Sequence, residues 1–249
     1  MQGGLNKESL ASMPLPGNDS SRPTLLIVGA SRGLGHAMAA EFLEKGWNVL
    51  GTVRGGRTRL HDLAEAHPGR VEIETLDICE PGQIAALRRR LAGRRFEMLF
   101  VNAGTTNRDP TQTIGEVATD DFVHVMVTNA LSPMRVVESL EPCVAPDGLI
   151  GVMSSGQGSV GANVSGEREV YRGSKAALNM FRRSFAARQA ATARALVLMA
   201  PGWVRTELGG PQARLTIEES VPRLVEVLLG KRGRPGLEYL DYQGRTVPW

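Results

Sequence analysis

Apolar and polar residues alternate along the chain with two different periods. Unbroken apolar runs of strand length recur, and most are separated by segments with an apolar residue every three or four positions. The runs predict strands over residues 24–29, 47–53, 71–78, 96–102, 148–155, 195–201 and 237–242. The periodic segments predict helices over 36–45, 82–92, 119–143, 171–190 and 216–229.

The order of these elements favours a parallel sheet. Strands of βαβ units are buried on both faces, and they therefore consist of continuous apolar runs. We predict an α/β fold, a single doubly wound Rossmann domain of about seven parallel strands with helices on both faces. Residues 1–22 lack any periodicity and are predicted to be a disordered arm, which leaves 23–249 as the domain.

Composition excludes several classes of protein. The 249 residues are 42% hydrophobic, which is enough for one sizeable core. The net charge is only +3 and no basic stripe is interleaved with aromatics, so we expect no nucleic-acid partner. No apolar run approaches the ~18 residues of a membrane span, and the two cysteines and four histidines have no metal-ligand spacing. We expect a cytoplasmic protein without a metal or a membrane contact.

A glycine-rich turn follows the first predicted strand. Gly29, Gly33 and Gly35 belong to the stretch GASRGLG, which opens the first predicted helix. Glycines here would let the backbone turn tightly and bring a pyrophosphate to the unpaired amides of the helix N-terminus. The pattern predicts a dinucleotide site, and an ordinary tight turn is the alternative.

The spacing G-x-x-x-G-x-G resembles that of the short-chain dehydrogenase/reductase family, and further family motifs follow in order. They are Asp77-Ile78, Asn102-Ala103-Gly104, Tyr171-x-x-x-Lys175 and Pro201-Gly202. The segments SSGQGSVG and YRGSKAALNM resemble the subgroup of sniffer-like or C-factor-like carbonyl reductases. The resemblance implies cofactor contacts from Gly29, Ser31, Arg32, Gly33, Leu34, Gly35, Asp77, Ile78, Asn102, Ala103, Gly104, Tyr171, Lys175, Pro201, Gly202, Val204 and Thr206.

Tyr171 precedes Lys175 by four positions, so on a helix the two side chains share a face, about 5–6 Å apart between Cβ atoms. A phenol with a pKa of about 10 exchanges protons poorly at neutral pH. A neighbouring ammonium favours the phenolate and lowers that pKa, so we predict that Tyr171 is a general acid tuned by Lys175. An exposed aromatic beside a solvated lysine is the alternative.

The resemblance implies two further catalytic residues. In the family, the second serine of a pair such as SS binds the substrate oxygen, which points to Ser155, before a slightly enlarged loop at 162–169. Pro133 has no amide hydrogen, so in a helix it would leave the carbonyl of Asn129 free to hold a water. The family places a proton-relay water beside its lysine, so Asn129 is predicted to carry the relay. An ordinary proline kink is the alternative.

The end of the second predicted strand bears on the choice of cofactor. NAD-binding proteins of this fold usually carry an acidic residue there, whereas this chain reads GTVRGGR. Arg54 lies just past that position and Arg32 lies inside the glycine loop. Guanidiniums suit a 2′-phosphate, so NADP(H) is predicted to be preferred, with NAD(H) still possible. Solvated surface arginines are the alternative.

These residues together predict an NADPH-dependent oxidoreductase that reduces a ketone, aldehyde or quinone to an alcohol. Its partners are expected to be a small carbonyl or alcohol substrate and further copies of the chain, as a dimer or tetramer. Two alternatives stay open. One is a cofactor-binding regulator with little turnover, and the other is a signalling or scaffold dimer that uses the predicted helices 119–143 and 171–190.

Overall fold

The computed structural model describes residues 22–249, so the predicted arm lies, except for Arg22, outside the described residues. Seven strands form one sheet: β1 Thr24–Val28, β2 Asn48–Val53, β3 Val71–Thr75, β4 Phe96–Val101, β5 Val144–Met153, β6 Ala195–Ala200 and β7 Gly236–Asp241. The helices are α1 Gly33–Glu44, α2 Arg59–Ala66, α3 Pro81–Arg90, α4 Thr119–Met126, α5 Ser132–Leu140, α6 Glu169–Arg188 and α7 Ile217–Lys231.

The strands are all parallel and lie in the order β3-β2-β1-β4-β5-β6-β7. This arrangement confirms the predicted doubly wound sheet. The chain order reverses between β1 and β4, and ligands of such folds bind in the crevice at the carboxyl ends of the strands there. The loops after β1, β4, β5 and β6 carry most of the predicted site residues.

Strand β1 shows why the strands are continuously apolar. Leu26 and Val28 pack into the cluster that includes Leu178 of α6, whereas Leu25 and Ile27 pack into the opposite cluster, under α1 and α7. Successive side chains of a strand point to opposite faces, so a sheet covered by helices on both faces buries every position.

The region predicted as one helix over 119–143 is divided in the structure. Helix α4 passes into a π-helical turn at Val127–Leu131, then α5, and then a short 3₁₀ turn at Glu141–Cys143. The amide of Ser132 bonds the carbonyl of Val127, five residues back. Pro133 cannot donate an α-helical hydrogen bond to the carbonyl of Asn129. The change from α-helical to π-helical hydrogen bonds occurs at this point.

Two other elements differ clearly from the prediction, while the remaining boundaries shift by up to three residues. Strand β5 begins at Val144 rather than at residue 148. Helix α2 was not predicted, because it is only eight residues long with Leu60 as its one buried residue, and so short a segment has few turns in which a helical period can be recognised.

Candidate active site

The glycine-rich loop brings β1 and α1 into close contact. Gly29 and Gly33 have φ values of +89° and +56°, which side chains with a Cβ rarely adopt. A Cβ on Gly35 would lie 2.0 Å from the carbonyl oxygen of Gly29. Asn102, after β4, donates from Nδ2 to that same oxygen at 2.9 Å. The loop is therefore fixed in a conformation that a side chain would obstruct at Gly29 and Gly35 and would strain at Gly33.

The N-terminus of α1 is open to an anion. Arg32, the residue that precedes the helix, makes no side-chain cap, and the first turn holds no acidic residue. Unpaired amides and the helix dipole give this end a partial positive charge. The loop therefore fits the pyrophosphate of a dinucleotide, with Ser31 and Leu34 beside the glycines.

The segment after β4 joins the glycine loop to the catalytic residues. The amides of Asn102 and Ala103 both donate to the carbonyl of Val28, at 2.9 and 3.1 Å. A Cβ on Gly104 would lie 3.3 Å from Oδ1 of Asn129 and 3.5 Å from Nζ of Lys175. The absence of a side chain at residue 104 therefore keeps the space in front of the lysine open.

Tyr171 and Lys175 lie one turn apart near the start of α6, as predicted, and both are buried. Nζ of Lys175 donates to the carbonyl of Met153 at 2.9 Å and lies 5.8 Å from the centroid of the tyrosine ring. Burial lowers the pKa of Lys175 to about 8. The lysine is therefore a poorly solvated cation at the bottom of the site.

The pKa of Tyr171 corrects one step of the sequence argument. Burial raises this pKa above its ordinary value, because the phenolate would lose its hydration. A hydrogen bond with the Ser155 side chain and the charge of Arg168 act in the opposite direction but do not outweigh burial. The sequence predicted a lowered pKa because it supplied a neighbouring ammonium without the extent of burial.

The two serines after β5 have different partners. Ser155 is in contact with the Tyr171 hydroxyl, and its own Oγ accepts a hydrogen bond from the amide of Gln157 at 3.1 Å. Ser154 is buried and donates from Oγ to Oδ1 of Asn179 at 2.6 Å. The structure therefore brings Ser155 to the tyrosine and uses Ser154 to hold α6 against the end of β5.

Asn129 is fully buried within the π-helical turn. Its Oδ1 accepts from the amide of Thr105, and its Nδ2 donates to the carbonyl of Thr105, both at 2.8 Å. Nδ2 also donates to Oγ of Ser174 at 2.9 Å, and that hydroxyl donates to the carbonyl of Tyr171. The side chain thus connects the loop after β4 to the first turn of α6, next to the lysine.

The predicted adenine side of the site lies after β3. Oδ1 of Asp77 accepts from the amide of Cys79 at 2.9 Å, and the amide of Asp77 donates to Gln83 at 2.8 Å. Ile78 is buried beside them. These local hydrogen bonds fix the turn that follows β3.

The arginines near the end of β2 differ in how they are held. Arg54 is exposed and forms no hydrogen bond or ion pair with any residue of the described chain. Arg57, by contrast, binds Asp62 at 2.6 Å and Glu65 at 2.8 Å. Arg32 pairs with Glu207. Arg54 is therefore the guanidinium that is free to bind a ligand.

The segment after β6 folds back on itself. Pro201 is buried and Gly202 has a φ of +81°. Val204 pairs with Leu215 in an isolated parallel bridge, and Oγ1 of Thr206 accepts from the amide of Gly209 at 3.0 Å. A closed loop over residues 203–215 therefore lies at the edge of the site, next to the glycine-rich loop.

Tyr239 in β7 makes contacts at the site that were not predicted from the sequence. Its hydroxyl donates to the main-chain oxygen of Ser155, and its ring packs on that of Trp249, with centroids 5.4 Å apart. The main-chain oxygen of Trp249 accepts from the amide of Gly161 at 2.9 Å. No local pattern encodes these contacts, although tyrosine occurs only three times in the chain.

The chain is similar to several known proteins in sequence and in fold. A protein of Burkholderia multivorans, described as a short-chain dehydrogenase/reductase and solved with bound NADP, is 73% identical, with a TM-score of 0.91 over 92% of this chain and 100% of that one. A carbonyl reductase of Pseudomonas aeruginosa PAO1 in complex with NADP is 34% identical, with a TM-score of 0.84 over 92% and 100%. The C-signal protein of Myxococcus xanthus is 36% identical over 155 residues, which are 61% of this chain and 92% of that protein.

A family model for short chain dehydrogenases matches residues 23–214. The chain therefore belongs to the short-chain dehydrogenase family of oxidoreductases, as the motifs predicted. Within residues 22–249, no helix is long and apolar enough to cross a membrane, and no group of histidine, cysteine or acidic side chains could hold a metal ion.

Proposed function

We propose that this chain reduces a ketone, aldehyde or quinone to an alcohol with NADPH. The observation that carries the proposal is the contact between the Tyr171 hydroxyl and Ser155 at a buried site beside Lys175. Two hydroxyl groups that meet in this way can both bind a single carbonyl oxygen. When bound, the nicotinamide supplies the hydride, and the protein orients the reactants and supplies the proton.

Ser155 and Tyr171 have different roles at the substrate oxygen. Ser155 donates a hydrogen bond that polarises the carbonyl, and Tyr171 donates the proton. A raised pKa keeps the tyrosine protonated at neutral pH, as a general acid requires. Lys175, with a pKa of about 8, is predominantly an ammonium at that pH and favours the phenolate that the reaction leaves. Asn129 holds Thr105 and Ser174 in place around this group.

The choice of NADPH rests on the free guanidinium of Arg54 and on the relative from Burkholderia multivorans that holds NADP at 73% identity. A 2′-phosphate would give Arg54 a charge-assisted partner, which a ribose hydroxyl would not. Arg32 is the second candidate ligand of that phosphate. The remaining cofactor contacts are those proposed from the motifs, at the ends of β1, β3, β4 and β6.

The proposal includes an oligomeric state and a cytoplasmic location. Exposed apolar side chains on α4, the π-helical turn and α6 support a homo-oligomer: Phe122, Val123, Leu131, Met180 and Phe181. The two cysteines are free thiols, as expected in a reducing cytoplasm.

A panel of aldehydes, ketones and quinones, assayed by NADPH oxidation, tests the function. We expect turnover in the wild type and a loss of about 10²–10⁴-fold in Tyr171→Phe, with NADPH affinity nearly unchanged. Tyr242→Phe is the matched control, because the hydroxyl of Tyr242 makes no hydrogen bond within the described chain. Near-full activity in Tyr171→Phe would refute the assignment. NADPH binding without turnover of any compound would favour a regulator, as in the alternative prediction.

A further inference from the structure

Arg168 adopts a strained backbone conformation immediately before α6. Its φ and ψ are 57° and 42°, and among residues 22–249 no other residue except glycine has a positive φ. A side chain with a Cβ is disfavoured in this left-handed region, and such residues concentrate at functional sites. The carbonyl of Arg168 accepts the first helical hydrogen bond of α6, from the amide of Arg172 at 3.0 Å.

The strained backbone places a guanidinium over the proposed general acid. Cζ of Arg168 lies 4.9 Å from the centroid of the Tyr171 ring, closer than Nζ of Lys175. Nε of Arg168 is buried and has no hydrogen-bond partner. Within the described chain, the guanidinium also forms no ion pair. The protein therefore supplies neither a hydrogen-bond acceptor for this buried nitrogen nor a carboxylate for the positive charge.

The neighbouring arginine on α6 shows the contrast. Arg172 donates from Nε to the carbonyl of Glu167 at 2.6 Å and from a terminal nitrogen to Oγ of Ser165 at 2.9 Å. The nearby carboxylate of Glu169 accepts from the amide of Ile114 at 2.8 Å. The hydrogen bonds of Arg172 and Glu169 thus hold the loops at the mouth of the site, whereas the guanidinium of Arg168 is left for a ligand.

We propose that Arg168 binds a carboxylate of the carbonyl substrate, so that the preferred substrates are keto or aldehyde acids. This inference rests on the proposed reductase function. The planar fork of a guanidinium matches the two oxygens of a carboxylate, and a site next to the ring of Tyr171 is adjacent to the reacting carbonyl. The carboxylate would also give the guanidinium a partner of opposite charge, which it lacks within the described chain.

Matched substrates test the specificity. The 2-, 3- and 4-carboxybenzaldehydes are compared with their methyl esters, as kcat/KM with NADPH. In the wild type we expect the best acid to exceed its ester by about tenfold or more. Arg168→Met should remove this preference, so that the acid and its ester are reduced with similar kcat/KM, and Arg168→Lys should keep part of it. Arg172→Met, which removes the same charge one turn away, should leave the preference intact.

A binding measurement separates this inference from the reductase proposal. Benzoate and benzamide are titrated into the protein with NADP⁺ by calorimetry, which requires no turnover. Benzoate should bind the wild type and Arg172→Met more tightly than benzamide, and Arg168→Met should lose about tenfold in benzoate affinity. Equal binding of the two ligands, or benzoate binding unchanged in Arg168→Met, would overturn the inference. Selective benzoate binding through Arg168 with no aldehyde reduced would instead overturn the reductase function alone.

Discussion

Arg32 and Glu207 form an ion pair, with 2.9 Å between Nη1 and Oε2, that joins the glycine-rich loop to the closed loop after β6. Both side chains are largely exposed, at 63% and 72%. If Arg32 binds the 2′-phosphate of the cofactor, that phosphate and Glu207 compete for the same guanidinium. An exposed pair is worth at most about 1 kcal/mol, so the competition is modest.

Removal of the Glu207 charge should therefore tighten NADPH binding. In Glu207→Gln we expect the NADPH dissociation constant to fall by up to about fivefold and that of NADH to stay the same. Fluorescence titration of both reduced cofactors measures this. Glu226→Gln is the control, since Glu226 is similarly exposed and pairs with Lys45 instead. A change of equal size for both cofactors would show that Arg32 does not discriminate between them.

Arg54 should supply most of the preference for NADPH. Charge-assisted hydrogen bonds of about 1.5–3 kcal/mol give a preference of tenfold or more, and Arg54→Asp should abolish it. The same titrations serve, with Arg57→Met as the control because Asp62 and Glu65 already bind that guanidinium. Equal affinity of the wild type for NADPH and NADH would contradict the proposal.

Lys175 should make the stability of the protein depend on pH in the alkaline range. Its pKa is about 8 in the folded protein and 10.5 as a free side chain, so between these values the unfolded chain binds more protons. The free energy of unfolding should therefore rise with pH across this window, by up to ~3 kcal/mol relative to Lys175→Met. Urea unfolding at a series of pH values measures the difference. Parallel pH profiles for the two proteins would mean that the lysine is solvated.

Pro133→Ala should restore an amide that can bond the carbonyl of Asn129. We expect that amide to bond the carbonyl of Asn129, with stability at least equal to that of the wild type. Turnover should fall, because the carbonyl that the relay is proposed to use would be occupied. Turnover and the midpoint of thermal unfolding are compared directly. If neither changes, the relay through Asn129 loses its support.

The sheet could be predicted from the sequence because burial on both faces leaves a strong local signal in each strand. The glycine loop and the pair Tyr171 and Lys175 were also accessible, since each lies within a few residues. Helix α2 was missed because it buries so little. The π-helical turn was not predicted, because the sequence does not decide between α-helical and π-helical hydrogen bonds near Pro133. The proline did indicate where the helix would be irregular.

Contacts between distant parts of the chain left no such signal. Tyr239 reaches Ser155 across 84 positions, and only the assembled sheet, in which β6 lies between β5 and β7, brings the two residues together. The direction of the Tyr171 pKa shift has the same origin. Spacing supplied a neighbouring charge, but the extent of burial that decides the shift is a property of the whole fold.

The orientation of Asn129 depends on the number of residues in the π-helical turn at Val127–Leu131. Its hydrogen bonds span five residues instead of four, so the turn accommodates one residue more than an α-helix would. A substitution leaves that surplus residue in place, whereas a single-residue deletion removes it. After such a deletion, the amide of Asn129 and Ser174 of α6 would be out of phase by about 100°, the rotation per residue of an α-helix. This part of the chain should therefore tolerate changes of identity far better than changes of length.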